Sequence, residues 1–179
     1  MVYRIPAVNL VGRGCLAQLK DEIGTLGCKK ALVVSDKFLT ENGVVEKVTK
    51  VLDQVGIEHT LYNDVKQNPS VANVEGGLEV LKKENCDFIV SIGGGSPQDC
   101  GKAISVLATN GGKITDYEGV NKSQKKCLPI VAIATTAGTS AEVTINYVIT
   151  DEETHIKMIM VDRNTSVSYT HLRAHETLA

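Results

Sequence analysis

The stretch Asp87-Phe-Ile-Val-Ser-Ile-Gly-Gly-Gly-Ser-Pro-Gln-Asp99 joins a mainly apolar run to three consecutive glycines and a serine–proline pair. Residues 87–92 have the composition of a strand that is buried on both faces of a parallel sheet. Ser96 can cap a following helix, Pro97 suits its first position, and Asp99 stands where a capping-box acid would stand. The stretch therefore predicts a buried strand, a tight turn and the start of a helix.

The sequence on both sides of this turn repeats the same alternation. Strands are predicted at 31–34, 57–62, 87–92 and 129–134, and helices at 44–55, 71–81 and 103–108. Strands that alternate with helices form βαβ units, so the predicted fold is α/β with a doubly wound parallel sheet. Outside this alternation we expect a hairpin at 146–161, an extended ribbon at 3–11 and a surface loop at 110–126.

The three glycines suit the binding of an anion. Glycine permits positive φ and lets a ligand approach the bare backbone. The N–H groups at the start of a helix, together with the helix dipole, attract a group such as pyrophosphate. The turn matches neither the dinucleotide fingerprint G-x-G-x-x-G nor the P-loop, so a strand-to-helix turn without a ligand stays open as an alternative.

Two further features lie at the carboxyl ends of predicted strands, where ligands of open α/β sheets bind. Asp36 follows the first strand, and its carboxylate could accept hydrogen bonds from a ribose diol. An acid there also repels a 2′-phosphate, which favours NAD over NADP; the alternative role is a helix cap. The loop Thr135–Glu142 follows the fourth strand and could hold phosphate or ribose, or form only a cap or an ST-turn.

The composition excludes several classes of protein. The net charge is −2, aromatic residues make up 4% and there is no Trp, so nothing favours a nucleic acid or an anionic membrane as partner. The five cysteines are odd in number and form no C-x-x-C pair, which argues against a zinc knuckle and a disulfide framework. The first residues lack the apolar core of a signal peptide, so we expect a cytoplasmic protein.

Three ordered stretches, KALVVSDK (30–37), GGGSPQDCGKA (93–103) and TTAGTSAEVT (135–144), resemble the iron-containing alcohol dehydrogenases over about residues 2–165. The run at 137–153 is most similar to the lactaldehyde reductase, or propanediol oxidoreductase, branch. The resemblance implies a Rossmann-like dinucleotide-binding domain at 1–165, with NAD as cofactor. It also implies reversible hydride transfer between NAD and a small primary alcohol or diol.

The resemblance further implies which residues contact the cofactor, and it assigns no catalytic or metal-binding residue to this chain. Asp99 and Lys102 complete the family pattern G-G-G-S-x-x-D-x-x-K and are expected to be mainly structural. The implied contacts are Asp36 to the adenosine ribose, Asn68 near the cofactor, Gly94, Gly95 and Ser96 to the pyrophosphate, Thr135, Thr136 and Thr139 in the same cleft, Val148 on the nicotinamide side, and Lys157 to a ribose or phosphate oxygen.

Members of this family bind Fe²⁺ through one Asp and three His in a second, all-helical domain, and no stretch of this chain matches that domain. We therefore expect the chain to be inactive alone. The last residues, 166–179 (SVSYTHLRAHETLA), match no family segment, and we expect a foreign or disordered tail. His171 and His175 have the spacing of metal ligands, but no third ligand accompanies them.

Two alternatives and one partner remain open at this point. The chain could belong to a branch acting on propane-1,3-diol, butanol or glycerol, or it could be a non-catalytic nucleotide-binding module. The extended N-terminal ribbon could also pair with a second copy and form a homodimer.

Overall fold

A computed structural model of the chain describes residues 8–12, 14–165 and 167–172. The strands are β1 (Val8–Val11), β2 (Lys30–Val34), β3 (Glu58–Tyr62), β4 (Phe88–Gly93), β5 (Gly119–Val120), β6 (Ile130–Ala134), β7 (Asn146–Asp151), β8 (Ile156–Val161) and β9 (Tyr169–Leu172). The helices are α1 (Leu19–Ile23), α2 (Lys37–Glu41), α3 (Val44–Gln54), α4 (Val71–Lys83) and α5 (Gly95–Asn110).

The main sheet has six strands in the order β1-β9-β6-β4-β2-β3, and every pairing in it is parallel. Alternate residues of β2 belong to different cores. Leu32 and Val34 pack in the cluster that includes residues of α4 and α5, whereas Ala31 and Val33 pack in the cluster that includes residues of α1 and α3. Helices therefore cover both faces, and the prediction of a doubly wound parallel α/β sheet is confirmed.

The chain changes direction across the sheet after β3. The step from β2 to β3 leads outward, and β4 then returns to the other side of β2. Ser35 follows β2 directly, and its hydroxyl donates to the carbonyl of Ile92 in β4 at 2.9 Å, which ties the ends of the two strands together. Open α/β sheets bind their ligands at such a topological switch point.

The helices follow the patterns in the sequence. The helix predicted at 44–55 includes Val55 in its buried face, whereas α3 ends at Gln54 and Val55 is its partly buried C-cap; the five apolar residues buried within α3 are Val44, Val45, Val48, Val51 and Leu52. Helix α4 begins with a capping box between Ser70 and Asn73. These local signals account for where both helices lie.

The second sheet has the order β5-β8-β7, and β7 and β8 form the predicted antiparallel hairpin. The segment predicted as a surface loop, 110–126, is more ordered than expected. It contains β5 and a 3₁₀ turn whose Ile114 and Tyr117 are buried, and the carboxylate of Asp162 accepts from the N–H of Ser123 at 2.7 Å. The few apolar residues of this segment are too widely spaced to produce a periodic signal.

The structure also differs from the expectation of a disordered tail that begins at residue 166. Strand β9 lies inside the main sheet between β1 and β6, in parallel register with both. Val167 is buried with Ile130 and Ala132, and the N–H of Ser168 donates to the carbonyl of Ile130 at 2.9 Å. A parallel ladder is made by main-chain groups, so a short segment can join it without a family-like sequence. Residues 173–179 lie outside the described part, as does His175.

Two further observations concern the described part as a whole. None of its helices is long and apolar enough to cross a membrane. The described part contains all five cysteines, none of them in a disulfide, and Cys15, Cys86, Cys100 and Cys127 are buried.

Candidate functional site

A cleft of about 310 Å³ lies at the switch point between β2 and β4. We call it the switch-point cleft. It is lined by Asp36, Phe38, Val65, Lys66, Gln67, Gly94, Gly95, Ser96 and Pro97. Four of these, Asp36, Gly94, Gly95 and Ser96, were singled out in the sequence. Phe38, Lys66 and Gln67 were not, because they belong to no motif and reach the cleft only through the fold.

Asp36 has two roles available to it. It is the N-cap of α2, and its Oδ1 accepts a hydrogen bond from the N–H of Leu39 at 2.8 Å, so the capping role is real. A carboxylate has two oxygens and about four acceptor positions, so capping leaves capacity for a ribose hydroxyl. The side chain lines the cleft, where such a hydroxyl could reach it.

The glycine turn differs from its predicted form at the helix cap. Helix α5 begins at Gly95 with Gly94 as its N-cap, and Ser96 lies inside the first turn, so the prediction that Ser96 caps the helix is wrong. No side-chain hydrogen bond caps the helix at Gly94. A glycine can serve as N-cap through its backbone alone, and Gly95 and Ser96, whose N–H groups have no partner within the helix, line the cleft. This is the arrangement in which helix N-termini bind anions.

Only glycine fits at the preceding position. Gly93 has φ of 148°, and a Cβ there would lie 2.5 Å from Cγ of Pro97. Gly94, in contrast, has ordinary extended backbone with φ of −82°. The expectation of positive φ thus applies to Gly93, whereas at Gly94 the constraint is the close approach of another loop.

That loop carries the three predicted threonines. The N–H of Thr135 donates to the carbonyl of Gly93 at 3.0 Å. A Cβ on Gly94 would lie 2.8 Å from Oγ1 of Thr136, and a Cβ on Gly95 would lie 3.5 Å from Cγ2 of Thr139. The threonine loop therefore packs directly on the glycine turn, as a shared site for one ligand requires.

A second group of predicted residues lies on the hairpin and the loop before α4. The ammonium of Lys157 donates to Oδ1 of Asn68 at 3.0 Å, and Val148 lies opposite Ile159 in the β7–β8 pairing. The N–H of Thr150 donates to the carbonyl of Pro69 at 2.8 Å, which fixes the hairpin to this loop. Lys66 and Gln67 line the switch-point cleft and Asn68 follows them directly, so the loop connects the two groups.

Asp99 and Lys102 lie beneath these groups on α5. The ammonium of Lys102 is fully buried and donates to the carbonyls of Ala141, Thr144 and Asn146 at 2.6, 2.8 and 2.8 Å. Oδ2 of Asp99 accepts from the N–H of Val148 at 3.1 Å. Burial lowers the pKa of Lys102 to about 8, against the attraction of Asp99 and Glu142, and burial raises the pKa of Asp99 to about 6. The structural role expected from the sequence agrees with these contacts.

Among residues 8–12, 14–165 and 167–172, no three His, Cys, Asp or Glu side chains come together in a group that could hold a metal ion. The described residues thus do not fit an iron site.

Comparisons with known proteins agree with this architecture. Alcohol dehydrogenase 4 of Schizosaccharomyces pombe is 52% identical over 163 residues, which are 91% of this chain and 39% of that protein. Lactaldehyde reductase of Escherichia coli K12 is 46% identical over 153 residues, 84% of this chain and 40% of that protein. The lactaldehyde reductase branch suggested by the sequence is thus among the relatives, but its sequence identity to this chain is lower than that of the yeast enzyme. The chain spans about two fifths of the length of both relatives, 39% and 40%.

Solved structures give the same result. A 1,3-propanediol oxidoreductase superposes with a TM-score of 0.92 at 40% identity, covering 95% of this chain and 44% of that chain. Sulfoacetaldehyde reductase from Bifidobacterium kashiwanohense, in complex with NAD⁺, superposes with a TM-score of 0.85 at 31% identity, covering 95% and 45%. The family described as iron-containing alcohol dehydrogenase matches residues 6–170. The chain therefore belongs to the iron-containing alcohol dehydrogenase family.

Proposed function

We propose that this segment binds NAD(H) and orients it within an alcohol dehydrogenase that acts on a small primary alcohol or diol. One observation carries the proposal: an acid and a helix start without a side-chain cap line one switch-point cleft, and a hydroxyl-bearing loop packs directly on the glycine turn of that cleft. These are the groups that a ribose and a pyrophosphate require, at the edge where open α/β sheets bind dinucleotides.

In this proposal the pyrophosphate lies at the start of α5. The main-chain N–H groups of Gly95 and Ser96 donate to its oxygens, and the helix dipole adds to the attraction. Gly94 has no side chain to fill the space beside Thr136, so the phosphate can approach the backbone closely. The hydroxyls of Thr135, Thr136 and Thr139 supply further hydrogen bonds.

The adenosine end is assigned to the opposite wall of the cleft. The N–H of Leu39 occupies one acceptor position of the Asp36 carboxylate. The remaining positions accept hydrogen bonds from the ribose diol. Phe38, which is 65% exposed, gives the adenine an apolar surface. Since Asp36 would repel a 2′-phosphate, the proposal predicts a preference for NAD(H) over NADP(H).

The nicotinamide end is assigned to the hairpin. Val148 provides an apolar contact on this side, and Lys157, held by Asn68, offers a cation to a ribose or phosphate oxygen. When bound, NAD⁺ supplies the acceptor of the hydride, and Fe²⁺ in the complete family enzyme supplies Lewis-acid polarisation of the alcohol oxygen. The residues described here orient the dinucleotide and provide no ligand set for the iron.

The substrate class and the partners rest on the relatives. The relatives include a lactaldehyde reductase and a 1,3-propanediol dehydrogenase, which supports a small alcohol or aldehyde as substrate. Strand β1 lies at the edge of the main sheet, which leaves the proposed pairing with a second copy open to it. A cytoplasmic location and the absence of nucleic-acid or membrane partners remain predictions from composition.

The first prediction concerns the choice between the two dinucleotides. The wild-type chain should bind NADH more tightly than NADPH in calorimetric titrations. Asp36→Ser keeps a good helix cap and removes the negative charge, so it should reduce the preference about tenfold, mainly by improving NADPH binding. Because the cap is kept, the melting temperature should stay close to that of the wild type.

Asp21→Ser is the matched control, since it removes the same charge from α1, outside the residues that line the cleft. It should leave the preference unchanged. If wild type binds the two dinucleotides equally, or Asp36→Ser leaves the preference as it was, Asp36 does not face the ribose.

A further inference from the structure

Two side chains of α5 bind the main chain of residues 141–148 at four points. Asp99 and Lys102 are three residues apart, so they lie on the same face of the helix. The ammonium of Lys102 has three protons, and each has an acceptor: the carbonyls of Ala141, Thr144 and Asn146. Asp99 supplies the fourth contact by accepting from the N–H of Val148.

The contact with Val148 is made at the free edge of the second sheet. Strand β7 is the outer strand of the order β5-β8-β7, so its outward N–H groups have no neighbouring strand among the described residues. Asp99 accepts from one of them, that of Val148, and the carbonyl of Pro69 accepts from the next, that of Thr150. The outer edge of β7 is thus held by α5 at Val148 and by the loop before α4 at Thr150.

The contacts of Lys102 hold a segment that has no regular structure. Residues 141–145 belong to neither a helix nor a strand, so their carbonyls cannot all be satisfied by a regular ladder. An apolar side chain would fill the same buried volume without the penalty of burying an ammonium. The buried charge is therefore best explained by the conformation that it gives to this segment.

Both side chains also belong to the helix that starts at the glycine turn. Helix α5 begins at Gly95 and carries Asp99 and Lys102 on its next turns, so the distance from the turn to Val148 is set by one rigid element. The pyrophosphate site and the nicotinamide side of the proposed cleft are connected in this way.

We propose that Asp99 and Lys102 are positioning residues that hold residues 141–148 where the nicotinamide half of NAD(H) is bound. The proposal rests on the proposed function, because it assumes that NAD(H) occupies the cleft. It separates the two halves of the dinucleotide: the adenosine and pyrophosphate contacts do not depend on these two side chains, whereas the nicotinamide contacts do.

The test compares ADP-ribose, which lacks the nicotinamide, with NADH, by calorimetric titration of the full chain. Asp99→Ala should weaken NADH binding about tenfold and change ADP-ribose binding less than about twofold. Asp99→Asn should restore most of the NADH affinity, because its amide oxygen can still accept from the N–H of Val148. Lys102→Met should show the same selective loss as Asp99→Ala.

Ser105→Ala is the matched control, because it removes a hydrogen bond from α5 to the carbonyl of Leu128, away from residues 141–148. Both affinities should stay at the wild-type level. If Lys102→Met does not fold, the Asp99 variants decide the question by themselves, because Asp99 is only half-buried.

The outcomes are distinguishable from failure of the proposed function. A wild-type chain that binds neither ADP-ribose nor NADH contradicts the proposed function itself. A wild-type chain that binds both, with an Asp99→Ala variant that binds both normally or loses both equally, overturns the positioning role. An Asp99→Asn variant as weak for NADH as Asp99→Ala also overturns it, since the hydrogen bond would then not be what matters.

Discussion

Gly94→Val is expected to abolish measurable NADH binding and to leave the chain folded. The new side chain would begin 2.8 Å from Oγ1 of Thr136, in the space where the proposal places the pyrophosphate. The backbone of Gly94 has φ of −82°, outside the left-handed region that favours glycine, and Thr136 is exposed and can turn aside. The loss should therefore fall on the ligand site, with an affinity at least about a hundredfold lower, since several phosphate hydrogen bonds are blocked at once.

Two variants separate this effect from a general loss of structure. Gly24→Val adds the same side chain in a 3₁₀ turn, where no atom lies within 4 Å of the new Cβ, and should bind NADH normally. Gly93→Ala should instead destabilise the chain, because φ of 148° and the 2.5 Å approach to Pro97 both oppose a side chain. Normal NADH binding by Gly94→Val would mean that the phosphate lies elsewhere and that the proposed function fails.

The order of elements could be predicted because each one carries its own local signal. Strand β4 is buried along its whole length, is apolar except for Ser91 and ends in glycine, and α3 has its buried valines at helical spacing. Strands and helices of this kind in alternation allow few arrangements other than a parallel sheet covered on both faces. The switch-point cleft follows from that arrangement, which is why Asp36 and the glycine turn could be placed at one edge.

The details of the turn could not be predicted, because they depend on what packs against it. A serine before a proline is a common helix start, yet α5 begins at Gly95 and leaves Ser96 in its first turn. The sequence shows three adjacent glycines, but only the approach of Pro97 and of Thr136 distinguishes the strained position from the crowded one. The contact of Gly94 with Thr136 joins residues that are distant in sequence, and the contact of Gly93 with Pro97 forms only because the chain turns back on itself.

The contacts of Asp99 and Lys102 could not be predicted from the sequence either. Their spacing on one helix face could be read from the sequence, whereas their partners are main-chain atoms, which no pattern of side chains reveals. The same holds for Phe38 and Lys66, which reach the cleft without belonging to a motif. Residues of this kind are found only when the fold brings them together.

Ending the chain after Thr165 is expected to lower the free energy of unfolding by about 3–5 kcal/mol, whereas ending it after Leu172 should cost less than about 1 kcal/mol. The first truncation removes β9 from between β1 and β6. It also removes Val167, which is 3% exposed against Ile130 and Ala132. β6 then becomes an edge strand and β1 loses its only neighbour among the described strands, since the sheet order places β9 between them.

Urea denaturation followed by circular dichroism measures both truncations against the full chain, with the slope of the transition as a check that unfolding stays two-state. Val167→Ala is the matched point variant. It keeps the β9 ladder and removes two buried methyl groups, so it should cost about 1–2 kcal/mol, clearly less than the truncation after Thr165. Equal stability of the two truncations would instead support the sequence-based expectation that the tail is dispensable from residue 166. The seven-residue difference between them thus isolates the contribution of β9 and the residues that lead into it, whose place in the sheet depends on main-chain pairing.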